Sequence, residues 1–328
     1  MGNLVAAIAP ESALSTVLYP PSSTFEPERD MPDLSGIIAV VTGGNSGIGY
    51  HTVEHLLLKN ARVYLAARPG AKSTAAVRKL EAETGRAPVF LELDLADLTS
   101  VRRAATTFLA QESRLDVLFN NAGVMAPPVE LLTAQNHDLP FGTNVIGHYF
   151  LTQLLLPALA ASSAVSGLPA RIIYISSATH LIAPSGGIAF ASLKGGPERD
   201  AWLTTQNSWV VPWRLYGQSK LANIVVSNHF AKTHSDILVS CALHPGCINT
   251  PLKRHTSLAN QLVWDLLLYP ASIGAVTQLW AGTTASPAQI TGQYLIPWAR
   301  IGRAAPIAAN AAVEARLIAY LQEQIVGF

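Results

Sequence analysis

The stretch T-G-G-N-S-G-I-G, residues 42–49, decides the fold of this chain. It follows the apolar run GIIAVVT (36–42), typical of a buried strand, and opens IGYHTVEHLLLKN (48–60), which has helical spacing. Glycines here permit a tight turn and a close approach to a pyrophosphate, and the helix N-terminus offers free N–H groups and a positive dipole end. The spacing is G-x-x-x-G-x-G, and its strand–turn–helix context indicates nucleotide binding over a purely structural turn.

Strand-like and helix-like segments keep alternating along the rest of the chain. Helical spacing recurs at 72–85, 97–112, about 138–162 and about 213–234. The apolar strands are near-continuous, as expected for a sheet covered on both faces. We therefore predict an α/β fold, a single-domain Rossmann-type doubly wound parallel sheet of about seven strands with helices on both faces. The predicted strands are 36–42, 61–67, 88–94, 115–123, 171–177, 237–246 and 292–297.

The composition excludes several classes of protein. Of the 328 residues, 49% are hydrophobic and 13% charged, against a usual charged fraction of about 25%, which indicates a compact chain. A net charge of +1 gives no electrostatic reason to expect nucleic acid. No apolar run reaches the roughly 18–20 residues of a membrane span, and the N-terminus lacks the basic region of a signal peptide. We predict a cytoplasmic protein without a transmembrane span.

Cysteine and histidine show no metal-binding pattern. Cys241 and Cys247 give neither a metal spacing nor a disulfide framework, which fits a reducing compartment. Several histidines are scattered without an accompanying set of carboxylates or thiols, so no metal site is predicted. These histidines are His51, His55, His229, His234 and His255.

The chain is predicted to hold one domain. Residues 1–33 precede the regular pattern and are interpreted as an extension that wraps the surface or stays mobile. No linker divides residues 34–328, which we assign to a single catalytic domain that binds NAD(P). Within this domain, residues 178–215 form a long insertion.

The end of the second predicted strand indicates which nucleotide binds. An NAD site usually places a carboxylate there, whereas an NADP site has an arginine nearby. Here no acid is present, and Arg68 follows Ala67; Arg68 could bind a 2′-phosphate bidentately, the alternative being a solvated side chain. Asn45 and Ser46 bring no second cation. Asp94, at the third strand's end, could accept from an adenine amino group or cap the next helix. The sequence predicts NADP(H), with NAD(H) as the alternative.

Six motifs stand in order along the chain: TGGNSGIG (42–49), NNAG (120–123), Asn144 in FGTNVIGHYF, ISSA (175–178), YGQSK (216–220) and HPGCINT (244–250). Together and in this order they resemble the short-chain dehydrogenase/reductase family over roughly residues 35–300. The A-x-R strand end, the loop N-N-A-G-V-M and S-K-L-A-N after Tyr216 look most like retinol-dehydrogenase-like and WW-domain-oxidoreductase-like members. No WW module is expected, because the residues before 35 include no tryptophan.

The resemblance implies that Tyr216 is the general acid/base, giving a proton to a carbonyl oxygen or taking one from an alcohol. Tyr216 and Lys220 are four residues apart and share a helix face. A free phenol has a pKa of about 10, and we expect Lys220 and a positively charged nicotinamide to lower it. By the same resemblance, Ser177 orients the substrate and Asn144 holds a relay water. Ser176 is the alternative serine, because strand alternation points the two in opposite directions.

The remaining nucleotide contacts are also implied by the resemblance. Lys220 would hold the nicotinamide ribose, NNAG (120–123) would line the adenosine ribose, and residues 245–250 would clasp the carboxamide. The full predicted set is Gly43, Asn45, Ser46, Gly47, Ile48, Gly49, Arg68, Asp94, Leu95, Asn121, Ala122, Gly123, Tyr216, Lys220, Pro245, Gly246, Ile248 and Thr250.

Together these features predict an NADP(H)-dependent oxidoreductase for a small hydrophobic carbonyl/alcohol pair. The alternative is a dinucleotide-binding regulatory or scaffold protein without turnover. Such a protein would be expected to lose Tyr216, Lys220 or Ser177, and all three are present. The resemblance also leads us to expect a homodimer or homotetramer that associates through the helices carrying Asn144 and Tyr216.

The long connection between Ser177 and Tyr216 bears on the substrate. Its composition is too apolar for disorder, and Gly186-Gly187 and Gly195-Gly196 are candidate hinges. We predict that residues 178–215 form an apolar wall or lid over the nicotinamide, favouring a bulky hydrophobic ketone or aldehyde. The alternative is packing on the domain or in an oligomer interface. The apolar residues concerned are Leu181, Ile182, Ile188, Phe190, Leu193, Trp202, Trp209, Val210, Val211 and Trp213.

Overall fold

A mostly parallel sheet forms the centre of the molecule. The computed structural model describes residues 20–249 and 268–328, and within these the sheet has eight strands in the order β3-β2-β1-β4-β5-β6-β7-β8. All neighbouring pairs are parallel except β7 and β8. The strands are β1 Ile38–Thr42, β2 Arg62–Ala67, β3 Val89–Glu92, β4 Val117–Asn120, β5 Ala170–Ile175, β6 Leu238–Leu243, β7 Tyr294–Ile296 and β8 Arg300–Gly302.

Helices cover both faces of the sheet, and their ends follow local sequence signals. Gly85 and Gly167 end two of them in the left-handed conformation, while the side chain of Asn310 caps the last one. The helices are α1 Pro27–Asp30, α2 Gly47–Leu58, α3 Ala71–Thr84, α4 Leu98–Leu109, α5 Leu139–Ser166, α6 Pro197–Thr204, α7 Val211–Thr233, α8 Ala271–Gly274, α9 Val276–Leu279, α10 Pro287–Ile290 and α11 Ala311–Gln324.

Alternating strand residues build two separate cores. Val40 and Tyr64 point to the face covered by α4, α5, α7 and α11. Val41 and Leu65 point to the opposite face, which is covered by α2, α3 and α9. The strand order reverses beside β1, whose neighbours are β2 and β4, and ligands of doubly wound sheets bind outside the carboxyl ends of the strands at such a point.

The predicted fold is confirmed, with one strand added. All seven predicted strands are present, although most are shorter at their ends than predicted. The additional strand, β8, has three residues and pairs antiparallel with β7. Three residues at a sheet edge are too few to carry a periodic pattern, so the sequence did not reveal it.

Part of the predicted N-terminal extension contributes to the core. Phe25 and Met31 are buried against the face that carries α2. Lys59 Nζ donates to the carbonyl of Glu28, 2.8 Å away, and so ties this segment to the end of α2. Residues 20–33 therefore pack on the domain, whereas the preceding residues of the extension, 1–19, lie outside the described residues.

The long connection before Tyr216 is structured and partly buried. It forms 3-10 turns at Ala178–Ile182 and Phe190–Ser192 and then helix α6. Ile188 and Leu193 are buried in the core that contains α5 and α7. We predicted that all of residues 178–215 form a wall or lid over the nicotinamide. This prediction is therefore wrong for residues 188–199. Those residues pack on the domain because its core offers their apolar side chains a dry surface.

A buried ion pair fixes this connection to α5. Arg199 Nη2 lies 3.0 Å from Asp138 Oδ1, and the two side chains are only 2% and 1% exposed. Arg199 also donates to the carbonyls of Ser192 and Val129. The other carboxylate oxygen of Asp138 accepts the amide of Phe141 at 3.0 Å and caps the first turn of α5. One carboxylate thus holds both the connection and the helix that carries Asn144.

Helix α7 is enclosed by its own chain. Residues 215–227 are all buried. The amide of Ala189 donates to Gln218 Oε1 at 3.0 Å, and Lys232 on α7 pairs with Glu314 on α11 at 2.6 Å. The connection and α11 thus cover parts of α7, and the expected association of copies through α5 and α7 stays a prediction.

Among the described residues one helix, α5, is long and apolar enough to cross a membrane, judged by length and composition alone. In its most apolar stretch, 67% of the residues are buried inside the fold. Burial of that extent is expected of the core helix of a doubly wound sheet.

Candidate active site

The glycine turn between β1 and α2 fits a pyrophosphate. Gly43 and Gly47 have φ angles of 69° and 55°, in the left-handed region that favours glycine. A Cβ on Gly49 would lie 2.5 Å from the carbonyl oxygen of Gly43 and 2.5 Å from Asn121 Nδ2, so no larger residue fits. The side chain of the N-cap, Ser46, makes no capping hydrogen bond, which leaves the first amides of α2 to an anion.

Hydrogen bonds tie the turn to the end of β2. Asn45 Nδ2 donates to Ser73 Oγ at 2.9 Å, and Ser73 Oγ donates to the carbonyl of Arg68 at 2.6 Å. The Arg68 side chain is exposed beside this junction. Lys72, four residues further on, lines a cleft of about 430 Å³ together with Asn45. Lys72 is a second cation that the sequence reasoning missed, because it considered only the turn and the strand end.

Asp94 and Leu95 have mainly structural contacts. Asp94 Oδ1 accepts the amide of Ala96 at 3.0 Å, and the N-cap of α4 is Asp97, so the alternative that Asp94 caps this helix is wrong. The Leu95 side chain is buried in the core, where Gly147 leaves room for it. The predicted adenine contacts of both residues stay predictions.

Thr42 holds the N-N-A-G loop at its start. Its hydroxyl oxygen accepts the amides of Asn121 and Ala122, each at 2.9 Å. Asn121 Nδ2 donates back to the carbonyl of Thr42 at 2.8 Å. The loop is therefore fastened to the end of β1, beside the glycine turn.

Asn144 holds the same loop at its other end, from a π-helical turn, Gly142–Ile146, inside α5. Its Oδ1 accepts the amide of Val124 at 2.8 Å, and its Nδ2 donates to the Val124 carbonyl and to Ser219 Oγ, each at 3.0 Å. These contacts are those of an interior asparagine bonded to backbone, so the water relay stays a prediction. A Cβ on Gly123 would lie 3.2 Å from Asn144 Oδ1 and 3.5 Å from Lys220 Nζ.

Ser177, Tyr216 and Lys220 lie together at the carboxyl end of β5. Ser177 Oγ accepts the amide of Thr179 at 3.2 Å, and the Ser177 side chain neighbours the Tyr216 phenol, whose charged form it favours. Ser176 points the other way and donates to the Lys220 carbonyl at 2.7 Å, as strand alternation requires. Lys220 Nζ donates to the carbonyl of Ile175 at 2.7 Å and lies 5.7 Å from the centre of the Tyr216 ring.

Burial shifts both titratable groups toward their neutral forms. It raises the pKa of Tyr216 to about 12, although the hydrogen bond from Ser177 works in the opposite direction. It lowers the pKa of Lys220 to about 7. In the protein without nucleotide, desolvation of the phenolate sets the direction of the shift, and the Lys220 ammonium is directed at the carbonyl of Ile175. The expected lowering of the Tyr216 pKa by Lys220 together with a positively charged nicotinamide stays a prediction.

The sequence reasoning also missed a cluster of neutral side chains around Ser177. His180 Nδ1 lies 2.7 Å from the Ser177 carbonyl, and its Nε2 accepts the amide of Ala305 at 3.0 Å. Tyr294 packs against His180 with ring centres 5.0 Å apart, and His244 stacks on Tyr294. Burial lowers the pKa of His180 to about 4 and that of His244 to about 3. A histidine three residues after Ser177 was the available signal.

The residues predicted to clasp the carboxamide lie just after β6, and this role stays a prediction. Gly246 has a φ of 94°, and a Cβ there would lie 2.9 Å from the Trp298 ring. Pro245 is half-buried, and Ile248 pairs with Tyr269 in an isolated bridge. Thr250 lies outside the described residues.

The described cysteines and histidines form no metal centre, and His255 lies outside the described residues. In residues 20–249 and 268–328, no group of three or more His, Cys, Asp or Glu side chains could hold a metal ion. Cys241 is buried and Cys247 partly buried, and neither forms a disulfide.

Comparison with known proteins places the chain in a family. Residues 37–199 match the family model for short chain dehydrogenases. A short-chain dehydrogenase/reductase of Armillaria gallica is 43% identical over 313 residues, which cover 95% of this chain and 97% of the relative. Retinol dehydrogenase 11 of Mus musculus is 37% identical over 266 residues, 80% of this chain and 78% of that protein.

Solved structures show the same relationship. An uncharacterized protein from Mycobacterium paratuberculosis has a TM-score of 0.69 and 31% identity, covering 92% of this chain and 98% of that one. The NADP active-site complex of Pseudomonas aeruginosa RhlG has a TM-score of 0.60 and 27% identity, covering 81% and 96%.

This chain belongs to the short-chain dehydrogenase/reductase family, a family of oxidoreductases that use a nicotinamide dinucleotide. Within it, the similarity to retinol dehydrogenase 11 supports the retinol-dehydrogenase-like branch, as the motifs predicted.

Proposed function

We propose that this protein is an NADP(H)-dependent oxidoreductase that interconverts a hydrophobic ketone or aldehyde and its alcohol. The observation that carries the proposal is the convergence of Ser177, Tyr216 and Lys220 at the carboxyl end of β5, with Lys220 one helical turn beyond Tyr216. This group lies at a strand end of the sheet that also presents the glycine turn. Doubly wound folds bind their ligands at that edge.

The residues present fit a nicotinamide dinucleotide. Gly49 packs closely against the carbonyl of Gly43 and the side chain of Asn121, which keeps the turn tight, and the neighbouring amides of α2 have no side-chain cap. Gly123 brings the backbone of the N-N-A-G loop close to Asn144 and Lys220. When bound, the nicotinamide supplies or accepts the hydride of the reaction.

The charges beside the glycine turn support NADP(H). No carboxylate stands at the end of β2, while Arg68 and Lys72 lie there with Asn45. An arginine can bind a phosphate through two parallel hydrogen bonds, and a lysine adds a point charge. The relative RhlG, at 27% identity, was solved in a complex with NADP.

Tyr216 would exchange the proton with the substrate oxygen. Its raised pKa of about 12 keeps the phenol protonated at neutral pH, as reduction of a carbonyl requires. Ser177 would orient the same oxygen, because its hydroxyl already contacts the Tyr216 phenol. Lys220 would then hold the sugar next to the nicotinamide from the position beside Gly123.

The surroundings of Tyr216 favour an uncharged, apolar substrate. His180 and His244 are held neutral by burial, and Tyr294 adds an aromatic surface. Leu181, four residues after Ser177 in the chain, is an apolar side chain that is 40% exposed. One relative at 37% identity is named a retinol dehydrogenase, and retinol is an apolar alcohol.

The test is an absorbance assay of NADPH and NADH oxidation with carbonyl compounds of rising apolar size. We expect turnover with NADPH, a lower kcat/KM with NADH, and a kcat/KM that rises with apolar size. Binding of NADPH without turnover of any carbonyl or alcohol, in either direction, would contradict the proposal and favour the non-catalytic alternative. A best substrate that is small and hydrophilic would contradict its substrate class alone.

A further inference from the structure

A fully buried histidine on α5 has no part in the chemistry described above. His148 is 0% exposed and follows Asn144 by four residues, one helical turn. Its Nδ1 lies 2.9 Å from the carbonyl oxygen of Asn144. Its Nε2 lies 2.9 Å from the hydroxyl oxygen of Thr42. The ring therefore bridges the end of β1 and the π-helical turn of α5.

The partners of the ring determine its tautomer. A carbonyl oxygen only accepts hydrogen bonds, so Nδ1 must carry a proton to bond to Asn144. Burial lowers the pKa of His148 to about 3, so the ring is neutral and Nε2 carries no proton. The hydroxyl of Thr42 must then donate to Nε2.

In this assignment the lone pairs of the Thr42 hydroxyl oxygen remain available to the amides of the loop at residues 121–124. The Thr42 oxygen accepts the amides of Asn121 and Ala122 at 2.9 Å each. The carbonyl of Phe119, at 3.2 Å, is a more distant acceptor for the single hydroxyl proton than His148. A directed chain of hydrogen bonds thus runs from the loop amides through Thr42 and His148 to the Asn144 carbonyl.

The side chain of Asn144 closes this chain into a ring. It binds both the amide and the carbonyl of Val124, at the far end of the same loop. Residues 121–124 are therefore held by Thr42 at one end and by Asn144 at the other, and His148 joins these two holders. Gly123, between the two attachments, is the loop residue next to Lys220.

We propose that His148 is a positioning residue, which keeps the loop of residues 121–124 and the Asn144 turn in the one arrangement that accepts the nucleotide beside Lys220. This inference rests on the proposed use of NADP(H). It assigns no contact with substrate to His148 itself. The structural alternative is that the imidazole only fills the core.

The first test compares two single substitutions at the two ends of the bridge. His148→Phe keeps a buried aromatic ring, somewhat larger than the imidazole, and removes both hydrogen bonds, whereas Thr42→Val keeps the shape and removes the hydroxyl. Each leaves buried polar groups without partners. We expect each substitution to raise the Kd for NADPH about 10-fold or more. The double variant should bind NADPH no more weakly than the weaker-binding single variant, because the two groups act in one network.

The controls separate positioning from general loss of packing. His137→Phe replaces another buried histidine of the same region, whose ring does not contact the loop, and should leave the Kd within about twofold even if the protein is less stable. Thr42→Ser restores the hydroxyl and should bind NADPH more tightly than Thr42→Val. An unchanged Kd in folded His148→Phe, or additive effects in the double variant, would overturn the proposal.

A measurement on the unsubstituted protein covers the case in which the variants fail to fold. Nitrogen NMR of the histidine rings should show His148 as the neutral tautomer protonated at Nδ1. A ring protonated at Nε2 would break the chain of hydrogen bonds and overturn the proposal. Failure of the unsubstituted protein to bind NADPH or NADH would instead refute the proposed function, which separates the two failures.

Discussion

The nucleotide half, residues 38–124, and the connection at residues 178–210 are held in place by different kinds of contact. In the nucleotide half, strands, glycines and backbone amides set the geometry, as at Gly49 and Thr42. In the connection, side chains reach distant residues, as in the Arg199–Asp138 pair and the contact between the rings of Phe190 and Tyr320. The comparison teaches that local pattern specifies the first region, whereas a few long-range contacts specify the second.

The largest effect should come from removing a buried charge that fixes the connection. Arg199→Met leaves the Asp138 carboxylate buried without its partner, and breaking a buried pair typically costs about 3–5 kcal/mol. Arg62→Met, in the nucleotide half, removes a half-exposed arginine from its pair with Glu112 and should cost about 1 kcal/mol or less. Denaturant unfolding measures both free energies. Equal losses would show that the two regions are not held differently.

The next effect concerns Tyr216 on α7, which follows the connection and is the residue that we propose exchanges the proton. Tyr216→Phe removes the transferable proton and keeps the ring, so kcat should fall by about 100-fold or more while NADPH binding persists. Tyr320→Phe is the matched control, because the Tyr320 hydroxyl is buried without a hydrogen-bond partner. Turnover within a few-fold of the unsubstituted enzyme in Tyr216→Phe would exclude the acid/base role.

The same contrast explains which features of the molecule the sequence could predict. Apolar runs and glycine turns repeat along the chain, so seven strands and the convergence of Ser177, Tyr216 and Lys220 at one sheet edge followed from them. The direction of the Lys220 ammonium toward Ile175, and hence the pKa shifts, depend on burial by several elements. No periodic pattern in the sequence predicts such burial.

Contacts between distant residues explain the other misses. Asp138 and Arg199 carry no mark in the sequence that identifies them as partners, and the same is true of Thr42 and His148. A buried histidine on an apolar helix is usually assigned to the core. Only the folded positions of β1 and α5 show that it joins two motifs.

A smaller effect, confined to the cofactor, should sharpen the contrast in the nucleotide half. Arg68→Ala would remove the proposed contact to the 2′-phosphate, so kcat/KM for NADPH should fall about 10-fold and that for NADH change less than about twofold. Lys72→Ala should act in the same direction with a smaller loss. Arg78→Ala removes another exposed arginine, from α3, and should change neither value. Equal losses with both cofactors in Arg68→Ala would assign it a structural role.

The smallest effect should come from Trp209, just before α7, at the end of the connection. Its side chain is 87% exposed, so Trp209→Ala should change the free energy of unfolding by about 0.5 kcal/mol or less. A side chain that is so exposed contributes little surface to the wall of a substrate pocket. We therefore expect kcat/KM to change by less than about twofold, and equally for small and large carbonyl compounds. Trp209→Phe should match the unsubstituted enzyme.

A loss confined to the largest apolar substrates would show that the end of the connection closes over the substrate during turnover. The predicted lid would then hold for residues near 209, even though residues 188–199 pack on the domain.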